Sequence, residues 1–568
     1  MLIDIAQFAL YAALVTGAAI ALGRWMACVM DAPAERLGFL GRIDRAICRA
    51  VGVDPRAEHS FAQYAAAVLA FNLAGALLLY AILLTQDWHP FNPERLPGLS
   101  PWLAFNIAVS FVTNTNWQAY GGETTLSYFS QMAGLTVENF VSAATGIAVG
   151  VAVIRGFARR ETRFLGNFWV DLVRATLWIL LPLAIVLGVA LVALGVPQNL
   201  LPYTPVETVS GAHQLIGQGP AAAQIAIKQL GTNGGGFWNA NSAHPFENPG
   251  AISNLLEMVA ILALPAGFCF LYGRMVKDAR QGRAIFAAMG ILWAIGVGIT
   301  YAAEEVGNPL IASSVAGEHH NMEGKEARFG IANSALWAAS TTAASNGSVN
   351  AMLDSFTPLG GLLPLFNIMT GEVIFGGVGA GFYGMLSYIV LAVFIAGLMV
   401  GRTPEYVGKK IEAREVKLAL LAFLAMPTGI LLGGALAAVV PQALTAVQDA
   451  GPHGLSEILY AYASATGNNG SAFAGYGAGS PWHTTAQGLA MMLGRFAYIV
   501  PMLAVAGSLA QKRPVAASAG TFPTHGPLFV GLLIAVIVVL GGLTFFPVLA
   551  LGPIAEQFAM AAGTIYGN

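Results

Sequence analysis

Apolar segments of about 20 residues recur along this chain, and a helix needs that length to cross the hydrocarbon core of a membrane. Ten such segments occur, at 3–28, 61–84, 126–154, 167–195, 251–275, 284–303, 373–400, 416–440, 485–510 and 527–551. Proline or glycine interrupts the fifth and the seventh segment. The sequence therefore predicts an all-α polytopic membrane protein with about ten transmembrane helices.

Charged residues are too scarce for a soluble protein of this length. The 568 residues include 27 Lys and Arg and 29 Asp and Glu, or 10% of the chain, against about 25% in soluble proteins. With a net charge of −2, the chain also has no global field that would attract an anionic polymer. These values argue against a cytosolic enzyme, a nucleic-acid binder or a disordered scaffold, and they make the lipid bilayer the expected surroundings.

Basic residues cluster in alternate loops, and such loops face the cytoplasm. The loops after the first, third, fifth, seventh and ninth segments contain most of the Arg and Lys residues. The opposite loops contain four basic residues, Arg95, Lys228, Lys325 and Arg328. We therefore expect a multi-pass protein with both termini outside.

The outward loops repeat one pattern four times. Each begins with a short apolar stretch, at 101–112, 221–230, 333–342 and 455–465, and continues into a polar, glycine-rich segment. Aligned on Asn116, Asn233, Asn346 and Asn469, the segments are 117, 113 and 123 residues apart. Such a period indicates fourfold duplication of a helix–pore-helix–filter–helix unit.

The four channel-like repeats are predicted between one extra helix at each end of the chain. The predicted ranges are 1–56 for the first helix and its cytoplasmic loop, 57–163, 164–283, 284–411 and 412–513 for the four repeats, and 514–568 for the last helix.

The physics of this unit predicts a cation path. Non-helical backbone at membrane depth is tolerated where it is buried in protein or lines an aqueous cavity. Four short helices ending inward would turn their negative ends toward the centre, and carbonyl oxygens could replace the water around an ion. Because the segments contain no acidic ring, K⁺ fits them better than Mg²⁺ or Ca²⁺.

Several motifs resemble one family closely. They are Thr113–Tyr128 (TNTNWQAYGGETTLSY), Gly231–Pro249 (GTNGGGFWNANSAHPFENP), Asn321–Ile331 (NMEGKEARFGI) and Ala465–Phe473 (ATGNNGSAF). They are similar to the potassium-binding subunits (KdpA) of bacterial Kdp potassium-transporting ATPases, and the likeness spans nearly the whole chain. It implies the superfamily of K⁺ transporters that fold like a fourfold-repeated K⁺ channel.

The resemblance also implies which residues form the K⁺ selectivity filter. They are Thr113, Asn114, Thr115, Asn116, Gln118, Thr232, Asn233, Gly234, Ser345, Asn346, Gly347, Asn468, Asn469 and Gly470. K⁺ is the transported ion, and the filter is the only place where a metal ion is expected. Three repeats have glycine after the aligned asparagine, whereas the first has Trp117 and Gln118, so the ring is not expected to be fourfold symmetric.

The resemblance further implies a division of labour within an ATP-driven, high-affinity potassium uptake complex in the bacterial cytoplasmic (inner) membrane. This chain would take K⁺ from outside and pass it to a P-type ATPase subunit, and two small membrane subunits would complete the complex. The sequence contains neither the DKTG phosphorylation motif nor a GxxxxGK[ST] phosphate loop. We therefore expect no catalytic motif and no bound nucleotide in this chain.

Two further features invite functional hypotheses. Arg495 lies within the ninth apolar segment, where an intramembrane cation is costly and usually functional, so we expect it to control where K⁺ rests below the filter. A structural ion pair is the alternative. Glu372 and the glycines that follow it would form a gate in a broken helix, unless these glycines serve close packing; they are Gly376, Gly377, Gly379 and Gly381.

Two other functions remain open at this point. One is a stand-alone K⁺ channel or a cation-coupled K⁺ symporter of the same superfamily. The other is a membrane-embedded enzyme that would use His319 and His320 with their acidic neighbours Glu318 and Glu323. These four residues lie in an outward loop without helical ligand spacing, which favours an ordinary solvated loop.

Overall fold

The computed structural model describes residues 2–33, 35–309, 320–515 and 521–564. Within these ranges ten helices are long and apolar enough to cross a membrane, which confirms the predicted number. They are α1 (Leu2–Asp31), α3 (Phe61–Leu84), α6 (Ser130–Ala158), α7 (Phe168–Ala193), α9 (Ala251–Met275), α10 (Ala279–Val306), α13 (Ala380–Val400), α14 (Ala413–Val439), α17 (Pro481–Ala510) and α18 (Pro527–Ala562).

Shorter helices and three small antiparallel strand pairs complete the described secondary structure. The short helices are α2 (Phe39–Ala50), α4 (Pro101–Val112), α5 (Gly122–Thr125), α8 (Ala221–Leu230), α11 (Gly330–Ala343), α12 (Pro358–Met369), α15 (Pro441–Leu444) and α16 (Gly451–Gly467). The antiparallel strand pairs are β1 (His59–Ser60) with β2 (Phe164–Gly166), β3 (Thr204–Glu207) with β4 (His213–Ile216), and β5 (Glu405–Tyr406) with β6 (Lys409–Lys410).

Four of the short helices, α4, α8, α11 and α16, each precede one polar segment. The first of them shows how sequence sets their length. Ser100 caps α4 by accepting a hydrogen bond from the Leu103 amide, Pro101 occupies its first turn, and the helix ends where the polar residues begin at Thr113. Its 12 residues are too few to cross the membrane.

Eight of the ten long helices are assigned here to the four repeats predicted from the sequence. The first repeat contains α3, α4 and α6, the second α7, α8 and α9, the third α10, α11, α12 and α13, and the fourth α14, α16 and α17. The most apolar windows of α6 and α9 are 89% and 78% buried, whereas those of α1 and α18 are 17% and 33% buried. The inner helices therefore form the centre, and the two terminal helices lie at the periphery.

Buried ion pairs fix the ends of α6 and α7. Arg155 on α6 makes a bidentate contact with Asp171 on α7, at 2.6 Å from Nη1 to Oδ2 and 2.9 Å from Nη2 to Oδ1. Nε of Arg174 on α7 lies 2.9 Å from Oδ2 of Asp44 on α2. Arg155, which lies in a loop predicted to be cytoplasmic, thus has a structural role.

Two of the predicted spans differ in detail from the observed helices, and one predicted repeat boundary falls inside a helix. The fifth span is one continuous helix across Pro265, because surrounding helices bury this turn. The seventh span begins at Ala380, so its predicted first residues lie in a non-helical loop, 370–379, that follows α12. The predicted repeat boundary at 283/284 falls inside α10, which begins at Ala279 because Asp278 accepts a hydrogen bond from the Arg280 amide.

Candidate functional site

The four polar segments form one closed ring, named here the polar ring and comprising residues 113–118, 231–236, 344–348 and 467–471. Each segment bonds to the next. Asn114 Nδ2 donates to the Thr232 carbonyl (3.0 Å), Asn346 Nδ2 to the Lys228 carbonyl at the end of α8 (3.0 Å), Ser345 Oγ to the Asn468 carbonyl (3.1 Å), and Asn468 Nδ2 to Thr115 Oγ1 (3.0 Å). Residues more than 100 positions apart in sequence therefore meet in one structure.

The backbone shows that the four segments share one conformation. In each repeat an amide donates to the carbonyl five residues earlier: Thr115 to Ser110, Asn233 to Lys228, Asn346 to Thr341, and Asn469 to Ser464. The residue before each of these amides has a positive φ, at Asn114, Thr232, Ser345 and Asn468, and so has the residue after it, at Asn116, Gly234, Gly347 and Gly470.

This shared pattern corrects the register predicted for the first repeat. Thr115, and not Asn116, is the structural equivalent of the three aligned asparagines, and Asn116 with a φ of 54° occupies the position of the glycines. Trp117 and Gln118 follow that position. Asparagine tolerates a positive φ better than most residues, so the backbone keeps its course without glycine. The expected departure from fourfold symmetry is present, one residue earlier than predicted.

Glycine is required at the other three equivalent positions by close approach as well as by φ. A β-carbon on Gly234 would overlap the carbonyl oxygen of Asn346, one on Gly347 that of Asn469, and one on Gly470 that of Thr115. Backbone thus packs directly on backbone from the second repeat to the third, the third to the fourth, and the fourth to the first. The junction between the first and second repeats is built differently.

A buried ion pair supports the second segment from behind. Nζ of Lys228 on α8 contacts Glu247 Oε2 and lies 2.7 Å from Oδ1 of Asn241. Asn241 Nδ2 donates in turn to the Gly234 carbonyl (2.7 Å), and Glu247 Oε1 accepts from the Trp238 amide (2.8 Å). The lysine and glutamate side chains have no exposed surface. These contacts hold the chain at 238–247 against the second segment.

Gln118 ties the first segment to the second at Gly236. Its Nε2 donates to the Gly236 carbonyl (2.9 Å), and its Oε1 accepts from the Gly236 amide (2.8 Å). Gln118 and Gly236 come after Asn116 and Gly234, the last residues at which the first and second segments share the common backbone conformation.

The loop 370–379 lies directly against the polar ring. Glu372 Oε1 accepts a hydrogen bond from Asn469 Nδ2, the Val378 amide donates to Thr232 Oγ1 (2.9 Å), and the Gly376 amide donates to the carbonyl of Ala343 (3.1 Å). Three repeats therefore hold this loop in place. Its backbone has positive φ at five positions, Gly371, Glu372, Phe375, Gly376 and Gly379.

A cavity of about 50 Å³ separates part of this loop from α17 and the ring. Glu372 and Arg495 both line it, together with residues of the ring such as Asn114, Ser345 and Asn468. Arg495 Nη2 donates to the Ser142 carbonyl on α6 (3.1 Å). Among the described residues, Arg495 Nε and Glu372 Oε2 have no hydrogen-bond partner.

The predicted gate glycines fall into two groups. Gly376, Gly377 and Gly379 lie in the loop, where a β-carbon on Gly379 would overlap the carbonyl of Gly146 on α6. Gly381 lies in the first turn of α13 and packs against Gly376. The helix is broken here as expected, and the same glycines also serve the close packing that was the alternative.

The outward histidine loop shows no catalytic arrangement in its described part. Glu318 and His319 lie outside the described residues. His320 Nδ1 lies 3.1 Å from Glu305 Oε2, and Glu323 donates its amide to Asn321 Oδ1 (3.2 Å).

Sequence reasoning missed the buried residues that support the ring from α6 and from the chain after the second segment. Asn139 Oδ1 accepts from Asn116 Nδ2 (2.7 Å), and Ser142 Oγ lies 2.9 Å from Asn114 Oδ1 and 3.2 Å from Asn233 Nδ2. The available signal was two polar residues three positions apart in an apolar span, which share one helix face. Nothing in the sequence said that this face meets the ring.

Comparison with known proteins gives a consistent family. The family model described as "Potassium-transporting ATPase A subunit" (KdpA) matches residues 9–558. The chain is 62% identical over 563 residues to the "Potassium-transporting ATPase potassium-binding subunit" of Rhodospirillum centenum, covering 99% of this chain and 98% of that protein. It is 58% identical over 540 residues to the protein of the same name from Pseudomonas aeruginosa, covering 95% and 96%.

A solved structure is also similar, more distantly. The potassium transporter TrkH from Vibrio parahaemolyticus aligns with a TM-score of 0.49 and 16% identity, covering 74% of this chain and 82% of that one. This overall similarity is too low to define the fold, which rests on the helices and contacts above. The family model and the relatives, in contrast, match nearly the whole chain at high identity, and the chain therefore belongs to the family of potassium-transporting ATPase A subunits (KdpA).

Proposed function

We propose that this chain is the K⁺-selective binding and translocation subunit of an ATP-driven potassium uptake complex. One observation carries the proposal: four segments with matching backbone conformation close into a ring whose residues are neutral and rich in carbonyl and hydroxyl oxygens. Such a ring offers a dehydrated monovalent cation oxygen ligands without a full negative charge. The names of the relatives, potassium-binding subunits of potassium-transporting ATPases, agree with this chemistry.

Within this proposal the selectivity filter consists of the fourteen residues predicted above, all of which lie in the polar ring. K⁺ enters from the outside and meets the ring before it meets the loop 370–379. Both termini face outward, and the chain resides in the bacterial cytoplasmic membrane. ATP is bound and hydrolysed by a P-type ATPase partner, and two small membrane subunits complete the complex.

The loop 370–379 is proposed as the barrier below the filter. It is held by the ring through Glu372 and Val378 and by α6 through Gly379, so it closes the space into which an ion would leave. Replacing Gly379 by alanine would push the loop from α6, and we expect K⁺ occlusion to be lost or flux to change. Unchanged occlusion and flux in Gly379→Ala would remove the gate assignment.

The filter is tested by Gly234→Asp in the assembled complex. A side chain here would overlap Asn346 and place a charge in the ring, so we expect half-maximal activation to need at least about tenfold more K⁺. We also expect altered K⁺/Rb⁺/NH₄⁺ discrimination. Ion-stimulated ATP hydrolysis and tracer uptake measure both.

Gly290→Ala is the matched control for this experiment. Gly290 lies in α10, where an added β-carbon would have nothing within 4 Å, so its substitution should leave affinity and selectivity unchanged. If Gly234→Asp behaves like this control, the filter assignment is wrong. If the chain conducts K⁺ when no ATPase partner is present, the stand-alone channel or symporter becomes the better description.

A further inference from the structure

The junction between the first and second repeats differs from the other three junctions of the polar ring. At those three, glycine packs directly on the carbonyl of the next repeat, so the distance between segments is fixed by backbone contact. At the first junction the equivalent residue is Asn116. Its side chain lies against Gly235, where a β-carbon would come within 2.8 Å of both Cβ and Nδ2 of Asn116. A side chain therefore fills the space between these two segments.

The spacing at this junction consequently depends on what holds the Asn116 side chain. Asn116 Nδ2 donates to Asn139 Oδ1 at 2.7 Å. Asn116 is 2% exposed and Asn139 is fully buried. Among the described residues, neither Asn116 Oδ1 nor Asn139 Nδ2 has a partner, so one hydrogen bond orients both amides.

The position of Asn139 on α6 gives this bond a rigid support. Ser142 lies three residues further along the same helix face and contacts Asn114 and Asn233, the residues on either side of the same junction. Further along α6, Gly146 and Gly150 pack against Val378 and Gly379 of the loop. Through these contacts α6 determines where the first and second segments lie along its length and how far apart the two segments are.

We propose that Asn139 is a positioning residue for ion discrimination: it holds Asn116 at the junction of the first and second repeats and so sets the width of the polar ring there. The inference rests on the proposed function of the ring as a K⁺ filter. K⁺, Rb⁺ and NH₄⁺ compete for the same oxygens and differ in size and geometry. If the spacing between the first and second segments is less well fixed, the ring should therefore discriminate less well among these ions. Asn139 itself contacts no ion in this arrangement.

The test compares Asn139→Leu with Asn72→Leu in the assembled complex. Leucine nearly preserves volume and removes the acceptor. Asn72 is a matched control because it is a buried asparagine in the spanning helix α3, and among the described residues its side chain donates a hydrogen bond only to the Val68 carbonyl of its own helix. We expect Asn139→Leu to lower the ratio of Rb⁺ to K⁺ half-activation concentrations about fivefold, the effect of losing one buried hydrogen bond. Asn72→Leu should leave that ratio unchanged.

A double-mutant cycle separates positioning from general destabilisation. In an Asn116→Gly background the side chain that Asn139 holds is absent, so Asn139→Leu should cause no further change in the ratio. Additive effects in the cycle, an unchanged ratio in Asn139→Leu, or equal changes in the Asn72→Leu control would each overturn the inference.

Two further arms keep the outcome decisive. If Asn139→Leu does not assemble, Asn139→Ala removes the same acceptor without adding branches and is compared with Asn72→Ala. If the unmodified complex itself shows no preference among the three ions, the proposed function fails. A preference that persists unaltered in the Asn139 variants contradicts the positioning role alone.

Discussion

Arg495 is a single cation placed beside the path that an ion would take. It lines the cavity below the polar ring, and one of its nitrogens donates to the Ser142 carbonyl. No carboxylate of the described residues forms an ion pair with it, so the structural ion pair considered for this residue is not seen there. A positive charge here, with no carboxylate within ion-pair distance, would repel K⁺ from the cavity and favour its position in the ring.

The first prediction concerns this charge. Arg495→Gln should lower K⁺-stimulated turnover by about tenfold, the change produced by about 1.4 kcal/mol, because K⁺ would then rest in the cavity. Arg495→Lys retains the charge and should preserve most of the turnover. The measurement is ion-stimulated ATP hydrolysis with tracer uptake by the assembled complex. Equal rates in the Gln variant and the unmodified chain would show that the charge has no role in transport.

His453, in the first turn of α16, lies between two carboxylates from other parts of the fold. Its Nδ1 lies 2.8 Å from Glu556 Oε1 and its Nε2 lies 3.0 Å from Asp354 Oδ1. Burial by itself would lower the pKa of His453, but hydrogen bonds to Asp354 and Glu556 raise it to about 10. The imidazolium therefore joins the fourth repeat to the third repeat and to α18. Asp449 and Glu457 also lie close to it.

A pH dependence follows from the raised pKa. The histidine of an unfolded chain has a pKa of about 6.5. The stabilisation of the fold by protonated His453 is therefore fully present below that pH and is lost as the pH rises through about 10. The difference in the free energy of unfolding between the unmodified chain and His453→Gln should be largest below about pH 6.5, at about 1–3 kcal/mol, and should shrink as the pH rises toward 10. Unfolding in detergent across this range measures it. A difference independent of pH would show that His453 is not protonated by these contacts.

At the scale of elements, the third repeat departs most from the common plan. Its inner helix is divided into α12 and α13 by the loop 370–379, whereas α6, α9 and α17 are single helices long enough to cross a membrane. The density of glycine after Glu372 predicted a break. It did not predict α12, since Pro358–Met369 contains two prolines and two glycines and resembles a loop in sequence.

The ion pair behind α8 gives a prediction at this scale. Lys228→Met would leave Glu247 buried without its cation, and we expect a loss of about 3–5 kcal/mol in stability. Lys325→Met is the matched control, because Lys325 Nζ lies 2.6 Å from Glu304 and both side chains are equally buried. Both variants should lower the unfolding temperature of the complex.

Only Lys228→Met should also weaken K⁺ activation, because Asn241 links Lys228 to the Gly234 carbonyl. Replacing both Lys228 and Glu247 by apolar residues should recover much of the stability but not the ion affinity. Equal K⁺ activation in the two single variants would show that the pair supports the fold without shaping the filter.

At the scale of the whole molecule, the proposed orientation rests on the charge asymmetry between the two sets of loops. The loops predicted inside are rich in arginine and lysine, and the polar ring belongs to the opposite loops. The hairpin β3–β4 lies on the side proposed to be outside, and Lys277 lies between α9 and α10 on the side proposed to be inside.

This orientation is testable by cysteine labelling. Ser210 at the hairpin tip and Lys277 are both exposed and therefore accessible to a reagent. With Cys28, Cys48 and Cys269 replaced by alanine, a membrane-impermeant maleimide should label Ser210→Cys in intact spheroplasts and Lys277→Cys only after permeabilisation. The reverse pattern would place both termini in the cytoplasm.

The sequence predicted the ten spans, the four short helices and the four polar segments because each depends on a local property. A run of apolar residues defines a span, and glycine with Asn, Ser or Thr defines a segment that leaves the helix. The resemblance added the family, which the comparisons confirm.

The tertiary structure alone decided which residues meet. The equivalence of Asn116 with three glycines, the support of the ring by Asn139 and Ser142, and the contact of Glu372 with Asn469 all join residues distant in sequence. These buried side chains form hydrogen bonds with one another, and a polar residue in an apolar span does not reveal its partner in the sequence. The composition of each segment therefore came from the sequence, and the register between the segments came from their packing.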